Sequence, residues 1–141
     1  MTAHEPLAAV FFDIGGTLGT VSGAAPVRRL TPYPSTADLL RVMAKTLGLR
    51  IGVITNIPDD MTTGDVRTML SSAELLELID GTAIITSRDA GVAKPDAAIY
   101  RYAAKRIGVP VERCLFVGEC AVEVAGARKV GMAALLKPQL A

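Results

Sequence analysis

Short apolar runs alternate with longer amphipathic ones along this chain. "LAAVFF" (7–12) is strand-sized and stops at Asp13. "TVSGAAPVRR" (20–29) carries glycine and proline and reads as a loop or small flap. "PSTADLLRVMAKTLG" (34–48) predicts a helix: Leu39, Met43 and Leu47 recur every four residues, Ser35 or Thr36 stands at the cap position, and Gly48 at the stop. "RIGVIT" (50–55) is a second strand. Residues 59–78 predict one or two helices, with "AELLELI" the clearest stretch, and "TAIIT" (82–86) is a third strand. "PDAAIYRYAAKRIG" (95–108) predicts a helix with Pro95 in its first turn, Ile99, Ala103 and Ile107 on one face, and Gly108 closing it. "RCLFVG" (113–118), "AVEVAGARKVG" (121–131) and "MAALL" (132–136) read as strand, short helix and fifth strand.

The order βαβαβαβαβ predicts an α/β, three-layer, Rossmann-like fold: a five-stranded parallel sheet with helices on both faces. Ligands of such sheets collect at the carboxyl ends of the strands. The positions to inspect are therefore Asp13, Thr55, Asn56, Gly118 and Glu119. No internal repeat, low-complexity segment or linker divides the chain, so residues 1–141 read as one domain, with 1–6 as a mobile terminus.

Composition narrows the chemistry. Half of the 141 residues are apolar and mean hydropathy is +0.39, yet no apolar run approaches the ~20 residues of a membrane span. The apolar surplus predicts a strongly buried sheet and is compatible with a homo-oligomer. With 15 basic and 14 acidic side chains and no basic stripe, nucleic acid is not an expected partner. The first residues lack the charged and apolar regions of a signal peptide, which predicts a cytoplasmic protein. Cys114 and Cys120 are too few for a disulfide framework or a zinc site. The single histidine, His4, lies in the terminus, which argues against hydrolases built on a histidine base.

"FFDIGGTLGT" (11–20) has three readings: Asp13 as a nucleophile, the glycines as a nucleotide cradle, or a site that has lost its chemistry. "DIGGT" is also the phosphate loop of hexokinase- and actin-like kinases. That fold follows the loop with a β-hairpin and needs two domains; this chain predicts a loop and then helices, and is too short.

Four separated elements instead resemble the haloacid dehalogenase (HAD) superfamily, in its order and at its spacing: "VFFDIGGTLG", "GVITN", "AGVAKPDAAIY" and "CLFVGECAVEVAGARKVGM". The resemblance runs from Leu7 to Leu136. It implies a phosphohydrolase or phosphotransferase in which Asp13 forms an aspartyl phosphate. Thr55 binds a phosphate oxygen, and the Gly15, Gly16, Thr17 loop and Asn56 assist. Lys94 neutralises nucleophile and phosphate. Mg²⁺ is implied, held by Asp13, the carbonyl of Gly15 and Glu119, with Glu123 supporting the metal from one shell out. Taken singly, each residue has a plainer reading: Asp13 a turn residue, Lys94 a solvated loop lysine, Glu119 and Glu123 a pair favoured at a helix N-terminus.

Two departures stand out. The family's phosphatases carry a second aspartate two residues after the nucleophile, which protonates the leaving oxygen; here that position is Gly15. General acid–base help is typically worth about 10²–10⁴-fold, so activity is expected mainly on good leaving groups. Asp59 and Asp60 are the candidates to replace the missing acid. Glu119 and Glu123 also stand where aspartate is usual. The alternative is a degenerate, non-catalytic domain that binds a phosphorylated ligand or a protein partner. Only 37 residues separate Thr17 from Thr55 and 38 separate Thr55 from Lys94, too few for a cap domain. A capless member is implied to act on a phosphorylated small molecule or an exposed phosphorylated substrate, or to borrow a neighbouring subunit as a lid. Arg28 and Arg29 read as a solvated loop pair, with a substrate anion as the alternative contact.

Overall fold

The computed structural model describes residues 6–25 and 27–137. His4, and all but the last residue of the terminus expected to be mobile, fall outside them.

Five parallel strands form the central sheet: β1 (Ala9–Phe12), β4 (Arg50–Thr55), β5 (Ile84–Thr86), β6 (Cys114–Gly118) and β7 (Ala133–Leu136), in the order β5-β4-β1-β6-β7. β1 is central and all four of its side chains are buried. Their alternation sorts them between two cores. Val10 and Phe12 join Leu40 of α1 (Thr36–Arg41) and Val66, Met69 and Leu70 of α2 (Thr63–Ser72) on one face. Ala9 and Phe11 join Ile99, Tyr100 and Ala103 of α4 (Ala97–Ile107) and Val124 and Ala127 of α5 (Ala121–Lys129) on the other. This is the predicted three-layer α/β architecture, and among the described residues no cap domain interrupts it.

Local details depart from the sequence reading. The flap is an antiparallel hairpin, β2 (Gly19–Ser22) with β3 (Arg29–Pro32). A hairpin therefore does follow the Asp13 loop, and its expected absence is no argument against the kinase reading. The Lys94–Pro95 and Gly118–Glu119 elements, which that fold does not require, carry the exclusion.

The helix expected over 34–48 is α only to Arg41 and continues as a π-helix over Val42–Thr46. Leu39 and Leu47 are exposed, and the face that enters the core carries Thr36 and Leu40. The wider π-turns end the four-residue repeat. Neither expected cap operates: Ser35 makes no capping bond, and the Thr36 hydroxyl donates to Leu18 O at 2.7 Å.

"AELLELI" is not a helix. α2 lies upstream, started by a capping box in which Thr62 and Asp65 bond reciprocally. It ends at Ser72, and Glu74 at φ 61° turns the chain. Only one 3₁₀ turn, Leu76–Leu78, follows, which buries Leu75, Leu78 and Ile79. Pro95 precedes α4 rather than opening it. Asp96 is the cap and accepts from Ala98 N at 2.8 Å. Thr86 likewise caps the short α3 (Ser87–Ala90).

Candidate active site

The carboxyl edge of the sheet gathers the polar residues. Asp13 follows β1, and its N–H donates to Val117 O at 2.9 Å, which extends the β1–β6 ladder and fixes the residue at the centre of the edge. Thr55 ends the neighbouring β4, buried, and Asn56 follows it. Lys94 arrives on the segment before α4, with its side chain 1% exposed. Its Nζ lies 2.8 Å from Asp13 Oδ1, 2.9 Å from Glu123 Oε1, and 5.2 Å above the centre of the Phe116 ring. A buried ammonium needs compensation of this kind: two carboxylates and an aromatic face replace water.

Lys94 is also held by its main chain. Its N–H donates to Asn56 Oδ1 at 2.8 Å, and its carbonyl accepts from Asn56 Nδ2 at 3.1 Å. The Asn56 amide, expected to assist with phosphate, is thus engaged with Lys94.

Glu123 reaches Lys94 from α5, where a metal-supporting role was expected. Its own main-chain carbonyl accepts from the Tyr100 hydroxyl at 2.6 Å. Burial, and then the nearby Glu123 and Asp13 carboxylates, push the Tyr100 phenol above its usual range, so it stays protonated as a donor. Tyr100 was missed from the sequence. The available signal was a tyrosine on the buried face of α4, whose hydroxyl must find a partner there.

These groups floor a cleft of about 260 Å³. Asp13, Gly15, Thr55, Asn56, Lys94 and Glu123 line it, joined by an apolar wall of Val21, Ile57, Met61, Val66 and Met69 and by Arg28 from the hairpin. Gly16, Thr17 and Glu119 are not among its lining residues. The N–H of Gly16 donates to Gly19 O at 2.8 Å and that of Thr17 to Ile14 O at 3.1 Å, so both amides serve the loop itself. Thr17 is buried, and among the described residues its hydroxyl has no hydrogen-bond partner. The Glu119 carboxylate rests on Gly16, where a β-carbon would collide with it. Asp59 and Asp60 are exposed and line no part of the cleft; Asp59 lies toward a different hollow, beside Arg88, which donates to its carbonyl at 2.8 Å. Among the described residues, no three His, Cys, Asp or Glu side chains converge as a metal cluster.

Fold and site together define a doubly wound α/β protein with a buried aspartate–lysine pair at the central carboxyl edge of its sheet. The comparisons name its family: the chain belongs to the haloacid dehalogenase-like hydrolase family, whose model matches residues 21–131. The matched span begins after the Asp13 loop. A phosphatase of Mycobacterium tuberculosis, MT3486, is 36% identical over 74% of this chain and 45% of its own length. An (S)-2-haloacid dehalogenase of Pseudomonas fluorescens is 35% identical over 72% of this chain and 42% of its own. The chain thus spans less than half the length of these relatives. A HAD family hydrolase of Deinococcus radiodurans, solved with bound phosphate and sodium, shares the fold at TM-score 0.71 and 18% identity, over 92% of this chain and 80% of that one.

Proposed function

We propose that this chain is a hydrolase or phosphotransferase domain acting through a covalent phosphoryl group on Asp13, with a small phosphorylated molecule as substrate. The observation that carries the reading is the 2.8 Å contact between buried Lys94 and Asp13 at the floor of the cleft. The lysine occupies Oδ1 and leaves Oδ2 to attack. That oxygen forms a bond to phosphorus while the bond from phosphorus to the leaving oxygen breaks, and its electron pair departs with the leaving group. Water then attacks the aspartyl phosphate and restores the carboxylate. Thr55 supplies a hydroxyl for a phosphoryl oxygen, and Lys94 offsets the negative charge of nucleophile and phosphate. No carboxylate stands at position 15, so the leaving group departs as a stable anion, as from acyl or aryl phosphates.

The donors for Mg²⁺ are all oxygens, which suits a hard cation, and Glu119 resting on Gly16 is set directly against the loop that carries the Gly15 carbonyl and Asp13. Asp13, the Gly15 carbonyl and Glu119 would hold the ion, which when bound neutralises charge on the phosphoryl oxygens.

Gly15 also favours a second reading, carbon–halogen hydrolysis. A halide leaves without a proton, so the absent acid costs that reaction nothing, and an (S)-2-haloacid dehalogenase is among the relatives. One experiment separates the two. The protein is incubated with Mg²⁺ and acetyl phosphate, or with 2-chloropropionate, and phosphate and chloride are measured against Asp13→Asn. Phosphate release abolished by the substitution supports the first reading; chloride release abolished by it supports the second. If neither product forms, but fluoroberyllate raises the melting temperature of the unsubstituted chain and not of Asp13→Asn, the domain binds phosphate without turnover.

A further inference from the structure

Arg28 and Met69 stand between two cavities. On one side is the Asp13 cleft. On the other, a groove of about 600 Å³ runs between the β2–β3 hairpin and α2, and both residues line both spaces. The hairpin contributes Ser22, Arg28 and Arg29 to the groove, and α2 contributes Thr68 and Ser72. Neither arginine makes an ion pair among the described residues. The groove's one carboxylate, Asp65, is occupied in the capping box, accepting from Thr62 N at 2.8 Å and Thr62 Oγ1 at 3.1 Å. Two exposed guanidinium groups and one carboxylate line the groove, whose charged side chains therefore sum to +1.

We propose that this groove receives the non-reacting end of the substrate and that this end carries a second anionic group, a carboxylate or phosphate, bound by Arg28 with Arg29 beyond it. The inference rests on the reading of the cleft given above and adds the substrate's shape. The reacting group lies at Asp13, a short apolar body runs along Val21, Met61 and Met69, and the distal anion meets the arginines. A guanidinium fork matches the two oxygens of such a group, and the bond is charge-assisted. The arginines ride on a two-stranded hairpin outside the main sheet. Selectivity is thus carried by an element separate from the catalytic floor.

The test uses Asp13→Asn protein, in which the probes stay intact. Phenyl phosphate and its 3- and 4-carboxyphenyl counterparts are titrated calorimetrically, with and without Arg28→Gln. One carboxylated probe is expected to bind about tenfold more tightly than phenyl phosphate, and Arg28→Gln should erase that preference. Equal affinity for all three probes, a preference that survives Arg28→Gln, or failure of every probe to bind would overturn the proposal. Turnover is measured separately on the unsubstituted chain. If turnover is absent while the binding preference persists, the phosphoryl-transfer reading falls and the anion groove stands.

Discussion

Asn56 and Lys94 are joined by two hydrogen bonds, one to each side of the lysine main chain, across 38 positions of sequence. The pair ties the end of β4 to the segment before α4. It also sets where the buried ammonium emerges between Asp13 and Glu123. Asn56→Ala removes both bonds, and about 1–2 kcal/mol of stability should go with them. Loss of position at the nucleophile should lower kcat/KM by about 10²-fold. Asn56→Asp keeps an acceptor for the Lys94 N–H but no donor for its carbonyl, and should fall between. Thermal melts and kinetics on an aryl phosphate check both; an Asn56→Ala protein with unaltered kcat/KM would remove the positioning role.

Two adjacent glycines should respond in opposite ways. A β-carbon at Gly15 meets only Val21 Cγ2, at 3.6 Å, an ordinary contact. Gly15→Asp should therefore fold with a stability change within about 0.5 kcal/mol. If the missing acid limits turnover, it should raise the rate on alkyl phosphates by about 10²-fold. Gly16 has φ 77°, and its β-carbon would fall on the Glu119 carboxylate. Gly16→Ala should cost about 1–2 kcal/mol and displace Glu119. Melts of the two variants side by side, with an alkyl phosphate assay of the first, decide both points. No gain in Gly15→Asp would place the limitation elsewhere in the floor.

Much of the site was legible because its residues sit where strands stop. A buried parallel strand ends at its first polar residue, which singles out Asp13 and Thr55, and the Lys-Pro motif before α4 marked Lys94. The pairing of Lys94 with Asp13 was legible, but its second partner, Glu123, was not. Glu119 and Glu123 lie four positions apart, and which of them enters the cleft depends on how α5 is set against its neighbours. The same limit hid the engagement of Asn56 with Lys94, a contact across 38 positions. In the fold, the β/α order was plain from periodicity. On α1 the repeat of four picked exposed Leu39 where its neighbour Leu40 is the buried residue, Met43 does pack against the core, and the π-turns over Val42–Thr46 break the repeat before Leu47. α2 falls within the span expected to be helical, 59–78, but it starts in the first half, at the Thr62–Asp65 capping box, and does not reach the more apolar stretch that follows.

Asp80 gives the protein a defined acid sensitivity away from the cleft. Burial raises its carboxyl pKa, but bonds from Thr82 N at 2.9 Å, Thr82 Oγ1 at 2.8 Å and Arg50 Nε at 2.8 Å outweigh this and hold it below 3.8. The folded state thus keeps the charge to lower pH than the unfolded chain. This contribution is fully present above 3.8 and is lost as pH falls through the lower folded value. The Arg50–Asp80 pair is partly exposed, so Asp80→Asn should cost only about 1 kcal/mol near pH 7. The gap to the unsubstituted protein should close in acid. Urea midpoints for both proteins across pH 3–7 measure it; a gap that widens on acidification would reverse the assignment.

Gly126 connects the packing of α5 to the reacting centre. A β-carbon there would lie 2.7 Å from Pro95 O and 2.8 Å from Pro95 Cβ, so the helix approaches the Lys94–Pro95 segment as closely as its backbone allows. One turn earlier on the same helix, Glu123 reaches back to Lys94 at 2.9 Å. Gly126→Ala must therefore push α5 off Pro95 or shift the lysine segment, since the obstructing atoms belong to backbone and a proline ring. Overpacking of this kind costs about 1–3 kcal/mol. The same movement should lengthen the Lys94–Glu123 contact and reduce kcat/KM by about tenfold with no cleft residue altered. Ala125→Ser, at the exposed neighbouring position, is the control and should change neither quantity. A Gly126→Ala protein that melts and turns over like the unsubstituted chain would show that α5 is free to move, and that the close approach to Pro95 does not set the position of Lys94.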